Sequence, residues 1–533
     1  MIYSAAHNAL AVETDAALQT LALVGGGTRV NGFGVACPAT LANLQALRRG
    51  GHICPPPMDI HGYDWPIKRG WKVMPHQRVT ANFLALHPRS FCLNDMGSMK
   101  TLSALWAADY LMEMHRRQGV KMRALVVAPL SILSTTWGEA IWQHFIGRRT
   151  FTVLTGTAEK RRKLLEKDTD FYIINHDGLA IGVPATRKSP LEGLAKDLSL
   201  RDDIRLAIID EASAYRNATT RRHRAARALL KDRPYLWLMT GTPTPNGPTD
   251  AYGMAKLVND AYGETFTNYK ARVMLNVSQY KWVAKSGSAQ EAKKLLTPAV
   301  RFAIEDCIEL PPCTVQQREV PLSAAQTRAY HVLKNEAVLA MQSGQLVHAV
   351  NEAALRMKLI QVACGAIYDV DHKTVHVDPG PRLAELESII EDTERKVVVA
   401  APLTNVLEML HGHFKDKYVC AVINGQVKGK ERDDLIRRMG DHNDPLKLIF
   451  VDPTTVSHGV NQFVTANVAI WYGPTDKNEA YQQLNKRIDR PGQTVPTTII
   501  QLVATKIEKE IFARLEANQS MQGVILKLAE GLL

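Results

Sequence analysis

Apolar residues recur along this chain in short runs that are separated by segments of helical periodicity. Between about residues 70 and 243, the runs are "SFCLN", "RALVVAPLSIL", "FYIINHDGL", "IRLAIIDEAS" and "YLWLMTGTP", and each predicts a strand. Strands that alternate with helices in this way are typical of a parallel sheet whose two faces are both covered. The pattern therefore predicts an α/β lobe in this part of the chain.

A second block of the same kind follows a mostly helical stretch. Its strand candidates are "KVVVAAP", "YVCAVINGQ", "LKLIFVDPT", "VAIWYGP" and "TTIIQLVAT". Two such blocks predict two similar α/β lobes with helical insertions. A cleft between two lobes of this type is the expected reaction site.

The composition changes near residue 64. The first 64 residues contain the Gly-rich "VGGGTRVNGFGV" and the Pro-rich "CPPPMDIHGYDWP", which predict a small N-terminal accessory region and linker at residues 1–64. We expect the first lobe at residues 65–300, with a helical protrusion. We expect the second lobe at residues 301–533, with a helical insertion and C-terminal helices.

Length, charge and cysteine content narrow the class of protein. A chain of 533 residues is too long for one hydrophobic core, and its net charge of +12 favours a polyanionic partner. The seven cysteines include no C-x-x-C pair, which indicates reduced thiols in a cytosolic protein rather than a zinc site or a disulfide framework. We see no signal peptide and no apolar run long enough to cross a membrane.

The segment "NDMGSMKTL", residues 94–102, lies between a predicted strand and a predicted helix. A phosphate-binding loop needs this context, because its backbone N–H groups and the helix N-terminus point at the phosphates. Gly97, Ser98 and Met99 would form the loop, Lys100 would reach the terminal phosphates, and Thr101 would bind Mg²⁺. Met99 stands where Gly is usual, so its torsions must be tolerated. An ordinary strand-to-helix turn is the alternative.

Two further strands end in residues that suit phosphoryl chemistry. Asp210 and Glu211 follow "LAII", where one carboxylate can hold Mg²⁺ and the other can activate water. A solvated acidic turn is the alternative. In "LMTGTPTPN", Thr240 and Thr242 could couple the nucleotide site to a second ligand, although a plain Gly/Pro turn would also give this sequence.

A basic segment near the C-terminus, "QQLNKRIDRPGQ", places three polar residues at helical spacing. Gln483, Arg487 and Arg490 can therefore converge on one face. Arginines inserted from a second lobe stabilise the charge that develops on a transferred phosphoryl group. A solvated basic helix is the alternative, but it leaves the following Gly492-Gln493 unexplained.

In this order the motifs resemble the superfamily-two helicases and, within them, the Swi/Snf-type DNA translocases, over roughly residues 70 to 525. The segment "VVAPLSILSTTWGEAIWQHF" is similar to motif Ia, with its Trp137, and "FVDPTTVSHGVNQFVTANVAIWYGP" to motif V. In "MPHQ", Gln77 stands where the family reads adenine. The chain resembles compact phage-encoded or bacterial members and the annealing-helicase branch.

The resemblance implies two RecA-like lobes that hydrolyse ATP with Mg²⁺ at their interface and move along double-stranded DNA, including forked or branched DNA. It implies roles for Lys100, Asp210, Glu211, Arg487 and Arg490 in catalysis. It also implies the following sets: nucleotide contacts from Gln77, Gly97, Ser98, Met99, Lys100, Thr101, Gly459 and Gln483, metal ligands from Thr101 and Asp210, and nucleic-acid contacts from Ser131, Thr242, Thr455 and Asn461.

A monomer is expected, in the cytoplasm of a bacterial cell or of a phage-infected host, with no membrane contact. Three alternatives remain open: a strand-separating or branch-migrating DNA helicase, a DNA-binding clamp with impaired hydrolysis, and a motor that uses RNA as its track. Direction of travel, the pathway served and protein partners are not readable from the sequence.

Overall fold

The computed structural model describes residues 1–14, 17–30, 34–184, 189–278, 281–342, 349–368, 373–427, 429–456 and 463–517. The chain divides into two compact units. Lobe 1 consists of Met1–Thr244, Pro248–Leu275 and Val283–Cys307, and lobe 2 consists of Pro245–Gly247, Asn276–Trp282 and Ile308–Leu533.

The first part of lobe 1 is an antiparallel sheet of order β1-β2-β4-β3 with helices beside it. The strands are β1 (Ile2–Ser4), β2 (Ala9–Val12), β3 (Thr28–Val30) and β4 (Gly34–Pro38). The helices are α1 (Ala17–Leu23), α2 (Leu41–Arg49) and α3 (Pro57–Ile60).

The main sheet of lobe 1 is parallel throughout its described pairs, in the order β13-β5-β10-β9-β6-β8-β7. Its strands are β5 (Arg89–Cys92), β6 (Arg123–Ala128), β7 (Phe151–Val153), β8 (Phe171–Asn175), β9 (Ile204–Asp210), β10 (Tyr235–Met239) and β13 (Ala299–Val300), and a separate two-stranded sheet consists of β11 (Met274–Ser278) and β12 (Lys281–Ala284). The helices are α4 (Pro75–Leu86), α5 (Lys100–Arg117), α6 (Glu139–His144), α7 (Ala158–Leu165), α8 (His176–Leu179), α9 (Gly193–Ser199), α10 (Arg221–Leu230), α11 (Ala251–Val258), α12 (Phe266–Val273) and α13 (Ser288–Leu295).

The N-terminal region packs against α4 and α5. Gln45 on α2 donates a hydrogen bond of 2.8 Å to the carbonyl oxygen of Ala85 on α4. The Tyr63 hydroxyl donates one of 2.6 Å to the buried carboxylate of Asp109 on α5. Leu86 belongs to the same hydrophobic cluster as residues of β2, β4 and α2. The N-terminal sheet therefore shares its core with α4, the helix that precedes the strand leading to the candidate phosphate loop.

Lobe 2 has a second parallel sheet, in the order β14-β21-β20-β17-β19-β18. The strands of this lobe, with the antiparallel pair β15–β16, are β14 (Cys313–Glu319), β15 (Ala366–Tyr368), β16 (Thr374–His376), β17 (Lys396–Ala400), β18 (Cys420–Ile423), β19 (Leu448–Val451), β20 (Ala466–Trp471) and β21 (Thr497–Val503). The helices are α14 (Ala324–Gln342), α15 (Ala349–Cys364), α16 (Gly380–Glu391), α17 (Thr404–Phe414), α18 (Gly429–Gly440), α19 (Pro453–Val456), α20 (Asn478–Ile488) and α21 (Lys506–Glu516).

The core of lobe 2 encloses an ion pair. Arg382 at the start of α16 and Glu508 on α21 have almost no exposed side-chain surface, and their charged groups lie 2.8 Å apart. The backbone N–H groups of Ala504 and Thr505 also donate to the Glu508 carboxylate and help to compensate its buried negative charge. This pair joins α16 to α21, and Arg382 also donates to the carbonyl oxygen of Tyr472 after β20.

The fold prediction is confirmed. All the apolar runs that predict strands form strands in the two parallel sheets, and every residue of β6, β10 and β17 is buried. Within the described residues, no helix combines the length and the hydrophobicity needed to cross a bilayer.

Candidate functional site

The segment after β5 forms the predicted loop at the N-terminus of α5. The side-chain Nζ of Lys100 donates hydrogen bonds to the carbonyl oxygens of Asn94, at 2.8 Å, and Asp95, at 3.0 Å. His76 on α4 contacts the far side of the loop, where its Nε2 lies 3.1 Å from the carbonyl oxygen of Ser98. Burial lowers the pKa of His76, which favours the neutral ring next to this loop.

Met99 holds a backbone conformation that glycine normally supplies. It immediately precedes α5 with φ 56° and ψ 41°, in the left-handed region, and Gly97 has φ 84°. A side chain in this region costs about 1 kcal/mol, because Cβ approaches the following carbonyl oxygen. The loop therefore keeps the shape that a glycine would give it, with strain stored at Met99.

Asn94, at the start of the loop, contacts two neighbouring segments through its side chain. Asn94 is fully buried, and its amide donates to the Thr80 hydroxyl of α4 at 2.8 Å. Its Oδ1 accepts a hydrogen bond of 3.0 Å from the N–H of Phe302, after β13. A neutral amide can both donate and accept here, so it joins α4 to the segment after β13 without burying a charge.

The carboxyl end of β9 carries Asp210 and Glu211. Asp210 accepts hydrogen bonds at Oδ1 from the N–H of Glu211, at 3.0 Å, and at Oδ2 from the indole of Trp137, at 2.9 Å. Glu211 has φ 51°, a second left-handed residue at this edge of the sheet. The two carboxylates therefore point from a sharply turned backbone, where strain commonly marks a functional site.

The end of β10 connects the phosphate-loop strand to Glu211, because β10 lies between β5 and β9. The N–H of Thr240 donates to the carbonyl oxygen of Cys92 at 3.1 Å, and its hydroxyl lies 3.4 Å from Oε1 of Glu211. A Cβ at Gly241 would lie 3.0 Å from the backbone nitrogen of Met96. The three strand ends therefore form one packed unit.

The residues present suit a nucleoside triphosphate with Mg²⁺. Gln77 uses Oε1 to accept from the N–H of Met74 at 3.0 Å, while its buried Nε2 has no hydrogen-bond partner within the described ranges. The buried hydroxyl of Ser98 is likewise without a partner there. Buried polar groups are rarely left unpaired, so a polar ligand would satisfy both.

The candidate metal ligands are also of a suitable type. Thr101 and Asp210 supply hard oxygen donors, which Mg²⁺ prefers, and Mg²⁺ usually completes its octahedron with water and phosphate oxygens. In the part of the chain that the structure describes, no group of three or more His, Cys, Asp and Glu residues could hold a metal ion. A site of one carboxylate, one hydroxyl and substrate oxygens does not need such a group.

Lobe 2 presents its candidate residues on and after α20. Gln483 is buried, and its Nε2 donates to Glu479 at 3.3 Å. Arg487 lies in the last turn of α20, and Arg490 follows the helix end. The buried Gln493 explains the ordered ending of this motif, because its Nε2 donates to the carbonyl oxygens of Ala466 at 2.9 Å and Ile488 at 3.3 Å.

The candidate nucleic-acid contacts are distributed over both lobes. Ser131 lies in the 3₁₀ turn Leu130–Ile132 after β6, and Thr242 follows β10. Thr455 lies on α19, where its hydroxyl donates to the carbonyl oxygen of Asp452 at 2.9 Å. Asn461 and the predicted nucleotide contact Gly459 lie outside the described residues.

Sequence reasoning missed two partners of the candidate carboxylates Asp210 and Glu211. Trp137 is separated from Asp210 by 73 positions, so no local pattern reports their hydrogen bond. Thr240 was visible within its motif but was not among the predicted site residues. The sequence signal that could have found it is its position directly after the apolar strand β10, which matches the position of Glu211 after β9.

Comparisons with known proteins agree with this geometry. Residues 76–364 match the model of the SNF2-related domain, and residues 381–492 match that of the helicase conserved C-terminal domain. "Putative protein p41" of Acyrthosiphon pisum secondary endosymbiont phage 1 is 25% identical, over 85% of this chain and 97% of its own length.

Two longer relatives share the same region. The Xenopus tropicalis "SWI/SNF-related matrix-associated actin-dependent regulator of chromatin subfamily A-like protein 1" is 24% identical, over 84% of this chain and 44% of its own length. The Bacillus subtilis "Putative ATP-dependent helicase/translocase YwqA" is 23% identical, over 85% of this chain and 48% of its own length. The chain thus spans less than half of these two relatives.

The SNF2-related match covers more than half of the chain and includes the loop at Lys100, the carboxylates at Asp210 and Glu211, and the strand end at Thr240. The helicase C-terminal match includes α20 and Arg490. Both matches confirm the resemblance drawn from the motifs. The chain therefore belongs to the SNF2-related domain family, the ATP-dependent helicase-like proteins of superfamily two.

Proposed function

We propose that this protein couples ATP hydrolysis to movement along double-stranded DNA, in DNA remodelling, repair or replication. The observation that carries the proposal is the connection made by Thr240, which is hydrogen-bonded to the phosphate-loop strand and lies beside Glu211. Because Thr240 contacts both the phosphate-loop strand and Glu211, the candidate general base, a change in position of one can alter the position of the other.

Each candidate site residue of lobe 1 that is named below has a chemical role in this proposal. Lys100 exchanges its two backbone carbonyl partners for phosphate oxygens, while Gln77 offers its unpaired amide N–H to the base. Thr101 and Asp210 would hold Mg²⁺, which supplies positive charge to the phosphate oxygens when bound. Glu211 accepts the proton of the attacking water, and Thr240 orients that carboxylate.

The proposed role of lobe 2 rests on residue type and spacing. Arg487 and Arg490 are separated by three positions at the end of α20, with Gln493 fixing the turn that follows. Guanidinium groups at such a turn can stabilise charge on the transferred phosphoryl group when the lobes close. This would make hydrolysis depend on lobe motion.

DNA would be held mainly through its phosphates, because a translocase must pass every sequence. The net charge of +12 supports a polyanionic track, and the proposed contacts are Ser131, Thr242, Thr455 and Asn461. We further propose a monomer that acts in the cytoplasm of a bacterial cell or of a phage-infected host. The name of YwqA, which pairs helicase with translocase, supports a motor of this kind.

Steady-state ATP hydrolysis tests the proposal directly. It should be measured without nucleic acid and then with duplex DNA, single-stranded DNA and RNA. We expect strong stimulation by duplex DNA and loss of turnover by a factor of ~10² or more in Lys100→Ala. The control is Lys121→Ala, an exposed lysine paired with Asp168, which should behave as wild type.

Other outcomes would favour the alternatives. Tight DNA binding without hydrolysis would contradict the proposal and identify a clamp, in which the strained loop at Met99 no longer supports turnover. Stimulation by RNA alone would identify an RNA motor. Displacement of a DNA triplex without opening of a duplex supports translocation, whereas ATP-dependent separation or branch migration of a fork would identify a helicase.

A further inference from the structure

The carboxylate of Asp210 is held from two sides. Its Oδ2 accepts from the indole N–H of Trp137 at 2.9 Å, and its Oδ1 accepts from the backbone N–H of Glu211 at 3.0 Å. Trp137 is fully buried. Because its ring is packed in the lobe 1 core, its N–H is a fixed donor that sets the plane of the carboxylate.

Trp137 lies on an unusual element. Residues Leu133–Gly138 form a π-helix between the 3₁₀ turn Leu130–Ile132 and α6. A Cβ at Gly138 would lie 3.0 Å from the ring of Phe151 on β7, so the π-helix packs directly against this strand of the sheet. Single π-turns are rare and are often found at functional sites.

The same π-helix has an outer side with hydroxyl groups. Ser134 and Thr135 are exposed, and the Thr135 hydroxyl donates to the carbonyl oxygen of Ser131 at 2.9 Å. Ser131 is a proposed nucleic-acid contact. One six-residue element therefore carries surface hydroxyls on one side and the indole that touches Asp210 on the other.

We propose that Trp137 is a positioning residue for Asp210, and that the π-helix carrying it links nucleic-acid binding at Ser131 and Thr135 to the affinity of the site for Mg²⁺. This inference rests on the proposed function, because Asp210 must be the metal-binding carboxylate and Ser131 must face DNA. It assigns to Trp137 an effect on the metal that simple core packing would not produce.

The first measurement is the Mg²⁺ dependence of binding of a fluorescent ADP, which needs no turnover. Trp137→Phe keeps a buried ring and removes the N–H. We expect the Mg²⁺ concentration for half-maximal effect to rise about 10-fold or more, as for other residues that orient a metal ligand. Affinity for the nucleotide without Mg²⁺ should change less than about twofold, a split that a general loss of stability would not give.

The chain offers a matched control for this variant. Trp106 is also fully buried in the same cluster, and its indole donates to the carbonyl oxygen of Pro66 at 2.7 Å. Trp106→Phe should leave the Mg²⁺ dependence unchanged. An equal shift in both variants, or none in Trp137→Phe, would overturn the assignment.

A second variant covers the case in which Trp137→Phe does not fold. Site-specific replacement of Trp137 by 3-benzothienylalanine keeps the bicyclic shape and lacks the N–H. The same rise in Mg²⁺ requirement is expected, and a wild-type requirement in this variant would overturn the proposal.

The link to nucleic acid is tested by repeating the titration with duplex DNA. In wild type and in Trp106→Phe, we expect DNA to lower the Mg²⁺ requirement about fivefold or more, in the usual range of coupling between sites. The shift should disappear in Trp137→Phe. A shift that persists in that variant, or is absent in wild type, would contradict the link.

If wild type binds Mg²⁺ and ADP but never hydrolyses ATP, the proposed function fails while the positioning role is still decided by the metal titration.

Discussion

The hydroxyl group of Thr240 lies 3.4 Å from Oε1 of Glu211, although the two residues follow different strands of lobe 1. Thr240→Val removes the hydroxyl and keeps the side-chain shape. We expect kcat for ATP hydrolysis to fall about tenfold, with little change in nucleotide affinity, because Glu211 loses an orienting contact. The control is Thr152→Val on β7, which is also buried but lies at the far edge of the sheet. An equal loss in both variants would contradict a specific role for Thr240.

Met99→Gly should stabilise lobe 1. The residue has φ 56°, where glycine is free of the Cβ contact that strains methionine. We expect the free energy of unfolding to rise by about 1 kcal/mol, measured by denaturant titration. Met99→Ala keeps a Cβ in the same conformation and is the comparison. If the glycine variant were no more stable than the alanine variant, the loop would not store strain at this position.

Breaking the buried pair in lobe 2 should be costly. Arg382→Met leaves the carboxylate of Glu508 buried without its partner, and we expect a loss of about 3–5 kcal/mol in the free energy of unfolding. The comparison is Arg437→Ala, which breaks an exposed pair with Asp434 and should cost less than about 1 kcal/mol. Similar losses in the two variants would show that burial does not determine the cost.

His144 should make the stability of lobe 1 depend on pH. Burial, aided by the nearby charge of Lys68, lowers the pKa of His144 from 6.5 to about 4. The unfolded chain therefore binds this proton first, and stability decreases as pH falls from 6.5 to about 4. One such proton contributes up to about 1.4 kcal/mol per pH unit.

The variant His144→Gln keeps an acceptor for the N–H of Lys68, which lies 3.2 Å from Nδ1. Denaturant unfolding at several pH values should show a shallower decrease for this variant than for wild type. His442→Gln, at an exposed position, should leave the slope unchanged. An unaltered slope in His144→Gln would assign the pH dependence to other groups.

The central strands of both parallel sheets were predictable because they are buried on both faces. Runs such as that from Leu206 to Ile209 are continuously apolar, and a continuous run is hard to mistake. The strand β14 lacks this signal, since all its residues are exposed at the sheet edge. The N-terminal sheet was also missed, because its strands are short and interrupted by glycine-rich turns.

Candidate site residues could be named from the sequence where their motif is local. Lys100 and Thr101 follow their loop directly, and Asp210 ends an apolar strand. The sequence shows that Met99 stands where glycine is usual, but its backbone torsion angles are known only from the structure. The hydrogen bond from Trp137 to Asp210 depends on a π-turn, which sequence periodicity does not predict.

The contacts made by Gln45 and Tyr63 have a consequence for the boundaries of the folding unit. The family match begins at residue 76, but α4 and α5 use N-terminal side chains to complete their packing and hydrogen bonds. A shortened chain that started at the family boundary would expose Leu86 and leave the Asp109 carboxylate without its tyrosine donor. The family match and the packed unit of lobe 1 therefore begin at different residues.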